Sequence, residues 1–329
     1  DAILHACQQW TSGEVASLWA TFLASTKTPS TTPFSASRRA LSFAREGQFS
    51  RACRALSSQG LHPSTPHVLD ILRDKHPAGP SVSIPPSLPP AVTFSSESVL
   101  GQLRRFATLS APGPSALRVE HLLEAINCGS PNLGARVLTV VTQMVNLLVS
   151  GSLSASLMSF ICAATLIPLR KKDPGVRPIA IGDVFRRLVS KCLCFHFRSD
   201  MREFLAPHQL GVAYPRGVES VVHSARHLIA EHGHSSTKVM LKVDFRNAFN
   251  MVSREVFLEE TRTHFPGLSA WVHACYGSPT PLYCGTSGIL SSSGVQQGDP
   301  LGPFLFTLVL DRLLARIRPE FLPISWRAA

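Results

Sequence analysis

Apolar residues recur near helical spacing through the first part of the chain. They do so from Ser37 to Leu56, and the pair Thr65-Pro66 supplies the N-cap and the first-turn proline of a further helix. Residues 76–91 are rich in Pro, Ser and Gly, which neither continue a helix nor complete a sheet. The pattern therefore predicts a helical N-terminal region at residues 1–75 and a linker, or an extended strap, at residues 76–91.

Helical and strand-like segments are mixed after the linker. Helical spacing predicts helices at Ser95–Phe106, Arg118–Ile126, Leu133–Val149 and Asp183–Phe204, another that ends near His232, and one that begins at Pro300. Two hairpins are predicted, one from the apolar runs Ala163–Leu169 and Arg177–Ile181 and one at Leu282–Ser292, together with a strand at Lys238–Val243. The fold class that this order favours is α+β.

Composition narrows the class of protein. The 329 residues carry a formal net charge of +11, with 44% hydrophobic and 16% charged residues, which excludes a disordered chain, a collagen and a coiled coil. The longest apolar stretches, Phe160–Leu169 and Leu301–Leu314, are shorter than the roughly 18 residues of a membrane span, so we expect no membrane partner. The first residue is Asp1 and the chain stops soon after an apolar helical pattern, as expected of a fragment.

The cysteines indicate a reducing compartment. Eight cysteines occur without a Cys-x-x-Cys pair, so we expect free thiols and an intracellular location. Cys192, Cys194 and His196 lie close together in the sequence, but they lack a second pair of ligands at a zinc-site spacing. Core residues on a basic helix are the favoured interpretation, and a zinc site is the alternative.

Positive charge is concentrated in one short stretch. Nine basic side chains face three acidic ones there; they are Arg170, Lys171, Lys172, Arg177, Arg186, Arg187, Lys191, Arg198 and Arg202, against Asp173, Asp183 and Asp200. Such a concentration attracts polyanions, of which phosphate is the commonest inside cells. A solvated helix face explains the charge equally well.

Three motifs could carry chemistry. Asp244 follows an apolar strand directly, where a carboxylate could meet a hard cation, although a turn cap is the simpler interpretation. In GVQQGDPLGP, Asp299 is best explained as an N-cap before Pro300, whereas Gln297 could touch a sugar or a base edge. The third motif is the first hairpin, whose basic tip could clamp a triphosphate.

Taken in order, these motifs resemble a known family. The basic hairpin that ends in RPI, then HQLGVAYPRGVES, KVDFRNAFN and GVQQGDPLGP, is similar to the fingers and palm of a reverse transcriptase, closest to those of non-long-terminal-repeat retrotransposons. APGPSALRVEHLL at Ala111–Leu123 also resembles the segment that precedes the fingers in such elements. The resemblance covers about Ser95–Leu314. It implies right-hand polymerase fingers at residues 92–237 and an incomplete palm at residues 238–329.

The resemblance also implies roles for individual residues. Asp244 would be the first metal-binding and catalytic aspartate, with the backbone at Phe245 contacting the second metal and the triphosphate. Phe249 would be the aromatic gate beneath the sugar, although an ordinary core phenylalanine is the alternative. The remaining roles would be triphosphate binding for Lys172 and Arg177, positioning of the incoming nucleotide for Gln297 and Gly298, and nucleic-acid binding for Arg170, Lys171, Arg186, Arg187 and Lys191.

One element of the family is missing from the sequence. The aromatic-x-Asp-Asp turn expected after the QQGDPLGP helix is absent, and the 329 residues contain no Asp-Asp pair. The implied function is RNA-directed DNA polymerase, with an RNA template, a DNA primer, deoxynucleoside triphosphates and Mg²⁺, in a chain that ends before its second carboxylate motif and is inactive by itself. The alternative is a non-catalytic nucleic-acid-binding remnant or domesticated module. A nuclear location follows from the resemblance alone.

Overall fold

The structure is a computed structural model that describes residues 5, 8–9, 12–14, 16–17, 36–58, 60–83, 85–171, 175–235, 237 and 240–317. The chain divides into two compact units, residues 1–59 and residues 60–329. The linker predicted at residues 76–91 lies inside the second unit. Its described residues from 77 to 91 form neither helix nor strand, in agreement with their composition.

The described part of the first unit is a helical hairpin. Helix α1 is Ala36–Arg45 and helix α2 is Phe49–Ser57, and they pack through Ala40, Ala52 and Ala55. The sequence predicted one helix here. The break falls at Gly47, whose φ of 70° lies in the left-handed region that glycine tolerates best.

Helices make up most of the second unit. Those that precede the sheet are α3 (Pro66–Lys75), α4 (Ser96–Arg104), α5 (Val119–Ile126), α6 (Pro131–Val149) and α7 (Ala155–Cys162). The positions of α3, α4, α5 and α6 confirm the helices predicted in this part of the chain, whereas α7 was not predicted. Thr65 caps α3 as expected, since its hydroxyl accepts a hydrogen bond of 3.4 Å from the Val68 N–H.

A four-stranded sheet carries both predicted hairpins. Strands β1 (Ala164–Arg170) and β2 (Val176–Gly182) pair antiparallel, and so do β3 (Thr280–Cys284) and β4 (Ser287–Ser291). The strand order is β2-β1-β3-β4, with β1 and β3 parallel. The hairpins follow from local pattern, whereas the parallel pairing joins segments more than 100 residues apart in the sequence.

Helix α3 packs on this sheet, and that contact explains where the second unit begins. Val68 and Leu72 are buried in one apolar cluster with Leu166, Val176 and Ala180. The burial of each of these two side chains stabilises the folded state by about 1.5–3 kcal/mol. The sequence placed α3 in a separate N-terminal region, because periodicity does not show which surface a helix will cover.

All but one of the remaining helices contribute to the main core; the exception is Gly217–His232, in which Gly217 is the one buried residue. The remaining helices are α8 (Val184–His196), α9 (Arg198–Leu205), α10 (Gly217–His232), α11 (Ala248–Met251), α12 (Arg254–His264), α13 (Pro266–Tyr276) and α14 (Gly302–Ile317). The core, which also includes α4 and α6, contains Trp271, Phe257 and Phe304. By length and composition α6 alone, among the described helices, could cross a membrane, but its Val145, Leu148 and Val149 are buried in this core.

Two further predicted elements differ from the structure. The helix expected at Asp183–Phe204 is two helices that meet at Phe197. The strand expected at Lys238–Val243 is wrong for residues 240–243, which form no strand and leave Leu241 79% exposed; residues 238–239 lie outside the described part. An apolar segment forms a strand only when a neighbouring strand pairs with its backbone N–H and C=O groups. The described residues supply no such neighbour here.

The cysteines of α8 are core residues, as the sequence favoured. Cys192 is buried, and the Cys194 thiol donates to the Pro300 carbonyl oxygen at 3.5 Å. Burial raises the pKa of both thiols to about 12. The described cysteines are all free thiols, and the described residues contain no group of three or more His, Cys, Asp or Glu that could hold a metal.

The thiols should therefore differ strongly in reactivity. Cys53 and Cys128 are exposed and should react readily with iodoacetamide at pH 8. Only roughly 10⁻⁴ of a thiol with a pKa near 12 is ionised at that pH, so Cys192 and Cys194 should react far more slowly until urea unfolds the chain. Peptide mass mapping over time measures this, and equal rates in the folded chain would contradict the packing of α8.

Candidate functional site

The loop before α14 lies against the outer edge of the sheet. The Ala180 N–H of β2 donates to the Gln297 carbonyl oxygen at 2.8 Å. A Cβ on Gly298 would lie 2.3 Å from the Ala180 oxygen, and Gly298 has a φ of 128°, so both space and conformation require glycine here. The loop is thus bonded to β2 at Ala180. Arg177, three residues earlier on the same strand, is exposed.

The segment that contains Phe249 borders the same loop. The Val295 N–H donates to the Phe249 oxygen at 2.7 Å, and a Cβ on Gly294 would lie 2.3 Å from that oxygen. The Phe249 ring stacks on Phe306 of α14, with 5.3 Å between the ring centroids and an interplanar angle of 11°. Phe249 is therefore half-buried between the loop and α14, beside the loop that carries Gln297 and Gly298.

Asp244 lies just before this segment, in residues without regular secondary structure. Asp244 and Phe245 are both exposed. The chain is next fastened at Asn247, whose side-chain amide donates to the Lys75 carbonyl oxygen at 2.9 Å. The structure thus brings the Phe249 segment, the Gln297 loop and β2 together. Whether the Asp244 carboxylate faces the same cleft as Arg177 and Gln297 stays a prediction.

Asp299 is held by a buried hydrogen-bond network. One carboxylate oxygen accepts from the Leu301 N–H at 3.0 Å, so Asp299 caps the turn that leads into α14, which begins at Gly302, two residues later than predicted. The other accepts from Arg186 Nη2 at 3.0 Å and from the Tyr276 hydroxyl at 2.8 Å. Both partners of the ion pair have side chains that are 1% exposed. Burial, reinforced by Asp299, raises the pKa of Tyr276, so this hydroxyl remains a donor.

A second buried arginine holds the start of the loop. Arg254 donates to the Gly294 oxygen at 3.0 Å and to the Ser291 hydroxyl at 2.8 Å. Burial lowers the pKa of Arg254 to about 10, which leaves it charged at neutral pH. Arg186 and Arg254 each place the guanidinium carbon 5.3 Å from the centroid of the Tyr276 ring. The two arginines and the tyrosine therefore fix the loop from both ends.

The comparisons with known proteins identify this part of the chain. The family described as reverse transcriptase (RNA-dependent DNA polymerase) matches residues 169–326. Residues 169–326 belong to the reverse transcriptase family. The chain is also 28% identical over 255 residues to the retrotransposable element SLACS 132 kDa protein of Trypanosoma brucei gambiense. That match covers 72% of this chain and 20% of the trypanosome protein.

The match to the reverse transcriptase family begins within the basic hairpin, at residue 169. Arg170 and Lys171 are exposed at the end of β1, and Arg177 is exposed on β2. Lys172, expected to bind the triphosphate, lies outside the described residues. Arg187 and Lys191 are half-buried, with their charged groups 5.5 Å and 4.9 Å from the centroid of the Phe106 ring. Their assignment to nucleic-acid binding stays a prediction.

One nucleic-acid-binding prediction is wrong. Arg186 is 1% exposed and paired with Asp299, so it cannot reach a phosphate in solution. The helical spacing indicates that Arg186 is buried. Val189 and Leu193, three and seven residues further along the helix, are fully buried apolar residues on the same face.

Sequence reasoning also missed Arg254. It precedes Phe257, Leu258 and Thr261 at spacings of three, four and seven residues, and all four share the buried face of α12. An arginine at such a position indicates a buried, fully hydrogen-bonded cation. The same spacing rule that locates core residues would therefore have located it.

Catalysis in the reverse transcriptase family depends on divalent metal ions. The described side chains do not form a site for a pair of such ions. Two-metal phosphoryl transfer needs carboxylates that hold two ions about 4 Å apart. Asp244 offers one exposed carboxylate, and both oxygens of Asp299 already accept hydrogen bonds. Within the described ranges there is no cluster of three metal-binding side chains.

Removing the charge of Asp299 should destabilise the domain. Asp299→Asn keeps the volume but leaves the Arg186 guanidinium buried without a counter-charge, which typically costs about 3 kcal/mol or more. Urea unfolding followed by circular dichroism measures the change in the free energy of unfolding.

Asp70→Asn is the matched control. Asp70 pairs with Arg73 at 2.7 Å, but its side chain is 66% exposed. The same substitution there should change the free energy of unfolding by only about 0.5 kcal/mol. Equal destabilisation by the two variants would contradict the structural role assigned to Asp299.

Proposed function

We propose that this chain forms the fingers and part of the palm of an RNA-directed DNA polymerase of a non-long-terminal-repeat retrotransposon. Its ligands are an RNA template, a DNA primer and deoxynucleoside triphosphates. The observation that supports the proposal most is the 2.8 Å hydrogen bond from the Ala180 N–H to the Gln297 carbonyl oxygen, which joins the QQG loop to β2 three residues from Arg177. The likeness to a retrotransposable element protein supports the retrotransposon origin.

The charge and exposure of the hairpin support a phosphate ligand. Arg170, Lys171 and Arg177 present their cationic groups to solvent at one end of the sheet. Arginine can bind two phosphate oxygens at once, whereas lysine acts as a point charge. Arg177 lies on β2 three residues from Ala180, whose N–H bonds to the Gln297 oxygen, so we assign it to the triphosphate.

Phe249 is the proposed contact to the sugar. Its ring is half-buried against Phe306, and its backbone is fixed to the loop at Val295. A ring fixed in this way can present an apolar edge that leaves no room for a 2′-hydroxyl. Asp244, five residues earlier, is the proposed metal-binding carboxylate.

We further propose that the 329 residues by themselves do not polymerise. They contain no Asp-Asp pair, and the hydrogen bonds of Asp299 leave Asp244 as the single assigned metal ligand. Mg²⁺ that is bound through one carboxylate keeps most of its waters and is poorly placed for in-line transfer. The chain would then bind substrates without joining them.

Arg177→Ala should weaken the binding of a deoxynucleoside triphosphate by roughly 10- to 150-fold, because a charge-assisted hydrogen bond to phosphate contributes about 1.5–3 kcal/mol. Equilibrium binding to the full chain, followed by fluorescence of a labelled nucleotide, measures the effect. Arg136→Ala is the control, since Arg136 is exposed on α6 and should leave binding unchanged. Unaltered affinity at Arg177 would count against the assignment of the hairpin.

Primer extension tests the second proposal. The chain, mixed with a primed RNA template, all four deoxynucleoside triphosphates and Mg²⁺, should bind the template but extend the primer no further than a protein-free control. Gel analysis of a labelled primer measures both extension and its template dependence. Templated synthesis that disappears in Asp244→Asn would refute the proposed inactivity.

A further inference from the structure

Two cysteines of the main core are in contact with each other. Cys162 is the last residue of α7 and Cys275 lies on α13, and their sulfur atoms are 3.7 Å apart. The two residues are 113 positions apart in the sequence, and they are 0% and 1% exposed. In the described part of the chain no other two thiols share a hydrogen bond. The tertiary fold therefore brings together a pair of thiols that no sequence motif announces.

The pair lies beside the buried network that holds the loop before α14. The Arg186 guanidinium donates to the Cys162 carbonyl oxygen, and the Gln296 side-chain amide donates to the same oxygen at 3.5 Å. Cys275 directly precedes Tyr276, whose hydroxyl belongs to that network. A chemical change at the two sulfurs therefore takes place next to the residues that fix the loop.

The surroundings make the two thiols unequal. In the neutral pair the Cys162 thiol donates to the Cys275 sulfur. Once Cys162 loses its proton, Cys275 becomes the donor, and this hydrogen bond lowers the pKa of Cys162; the positive charge of Arg186 acts in the same direction, against the effect of burial. Burial and the same hydrogen bond raise the pKa of Cys275. Cys162 is therefore the better nucleophile, and Cys275 is the thiol that keeps its proton.

Ordinary core packing does not account for this arrangement. A free cysteine often fills space as a small apolar residue, and Cys192 is an example, since burial alone raises its pKa to about 12. The thiols of Cys162 and Cys275 differ from it because each has a second thiol in contact and a buried cation nearby. A nucleophilic thiol next to a second, resolving thiol is typical of cysteines that respond to oxidants.

Local opening of α7 gives a small oxidant access to the pair. The helix has eight residues, of which Met158 and Cys162 are buried, while Leu157 and Phe160 are 54% and 63% exposed. Its N-cap residue, Ser154, makes no capping hydrogen bond with its side chain. We expect so short and weakly anchored a helix to open more often than the long helices of the core.

We propose that Cys162 and Cys275 are a reversible disulfide-forming site that reacts with hydrogen peroxide. The inference is independent of the proposed function. The sulfurs need to approach from 3.7 Å to about 2.05 Å, the length of a disulfide bond. Where the surroundings are reducing, a disulfide of this kind is transient and reports oxidation.

The reaction takes place in two steps. The Cys162 thiolate attacks one oxygen of the peroxide, so that an S–O bond forms, the O–O bond breaks and the hydroxide that leaves takes up a proton to become water. Cys275 then attacks the Cys162 sulfur, so that the S–S bond forms, the S–O bond breaks and the second hydroxide leaves as water with the Cys275 proton. Two thiols lose two electrons, and one peroxide is reduced to two waters.

Peptide mapping of the full chain after treatment with hydrogen peroxide tests the site. A pair of peptides joined through Cys162 and Cys275 should appear under native conditions, two hydrogen atoms lighter than the separate peptides, and dithiothreitol should separate it. Cys192 is the matched reference, because it is equally buried and should still be a free thiol when the chain is then unfolded. If the proposed pair stays reduced while the exposed Cys53 and Cys128 are oxidised, the site is refuted. A link that forms only in urea also refutes it.

Two serine variants test which thiol attacks the peroxide. Cys275→Ser keeps a hydrogen-bond donor beside Cys162 but cannot form the disulfide, so a sulfenic acid should accumulate at Cys162 and react with dimedone. Cys162→Ser removes the nucleophile, and labelling of Cys275 should be lower by roughly tenfold or more, the effect of a difference of one pKa unit in the thiolate fraction. Equal labelling of the two variants would contradict the proposed roles.

The fold of each variant is verified by circular dichroism and urea unfolding. If either variant does not fold, the peptide map of the unsubstituted chain decides the proposal by itself, since it requires no substitution. A folded Cys275→Ser variant that yields no dimedone adduct at Cys162 would overturn the proposed sulfenic acid intermediate.

Discussion

The buried ion pair between Arg186 and Asp299 is the interaction on which the arrangement of the site depends. Taking a carboxylate and a guanidinium out of water costs several kcal/mol per ion, unless the remaining donors and acceptors are satisfied. Here Tyr276 and the Leu301 N–H complete the shell of Asp299. Arg186 also donates to the Cys162 oxygen, while its Nε is buried without a hydrogen-bond partner among the described residues. The pair joins α8 to the start of α14, so the loop of Gln297 cannot move without breaking it.

Close backbone approach positions the site as much as side-chain chemistry does. Gly294 lies against the backbone of Phe249 and Asn250, and Gly298 lies against Ala180. In each case a Cβ would overlap a backbone atom, so no rotamer change could relieve the clash. Three chain segments therefore meet at distances that only glycine permits.

The sheet joins parts of the chain that are far apart in sequence. β1 pairs in parallel with β3 across the helices of the core, while α3 covers the face that includes Leu166 and Ala180. The hairpin is thus held by α3, which precedes the residues of the family match, and by β3, which lies within them. This explains how Lys75, at the end of α3, can accept a hydrogen bond from the side chain of Asn247, which is far from it in the sequence.

The pattern of neighbouring residues was sufficient to predict much of this structure. The two hairpins, the Thr65 and Asp299 caps, most helices and the family of residues 169–326 follow from spacing, turn chemistry and motif order, which are properties of neighbouring residues. The tertiary structure decided the rest: that Arg186 and Arg254 are buried cations, that residues 240–243 form no strand, and that α3 belongs with the sheet. Each of these depends on which distant surface supplies a partner. Burial and ladder pairing are long-range, and a periodic pattern shows which face of an element is apolar without showing what will cover it.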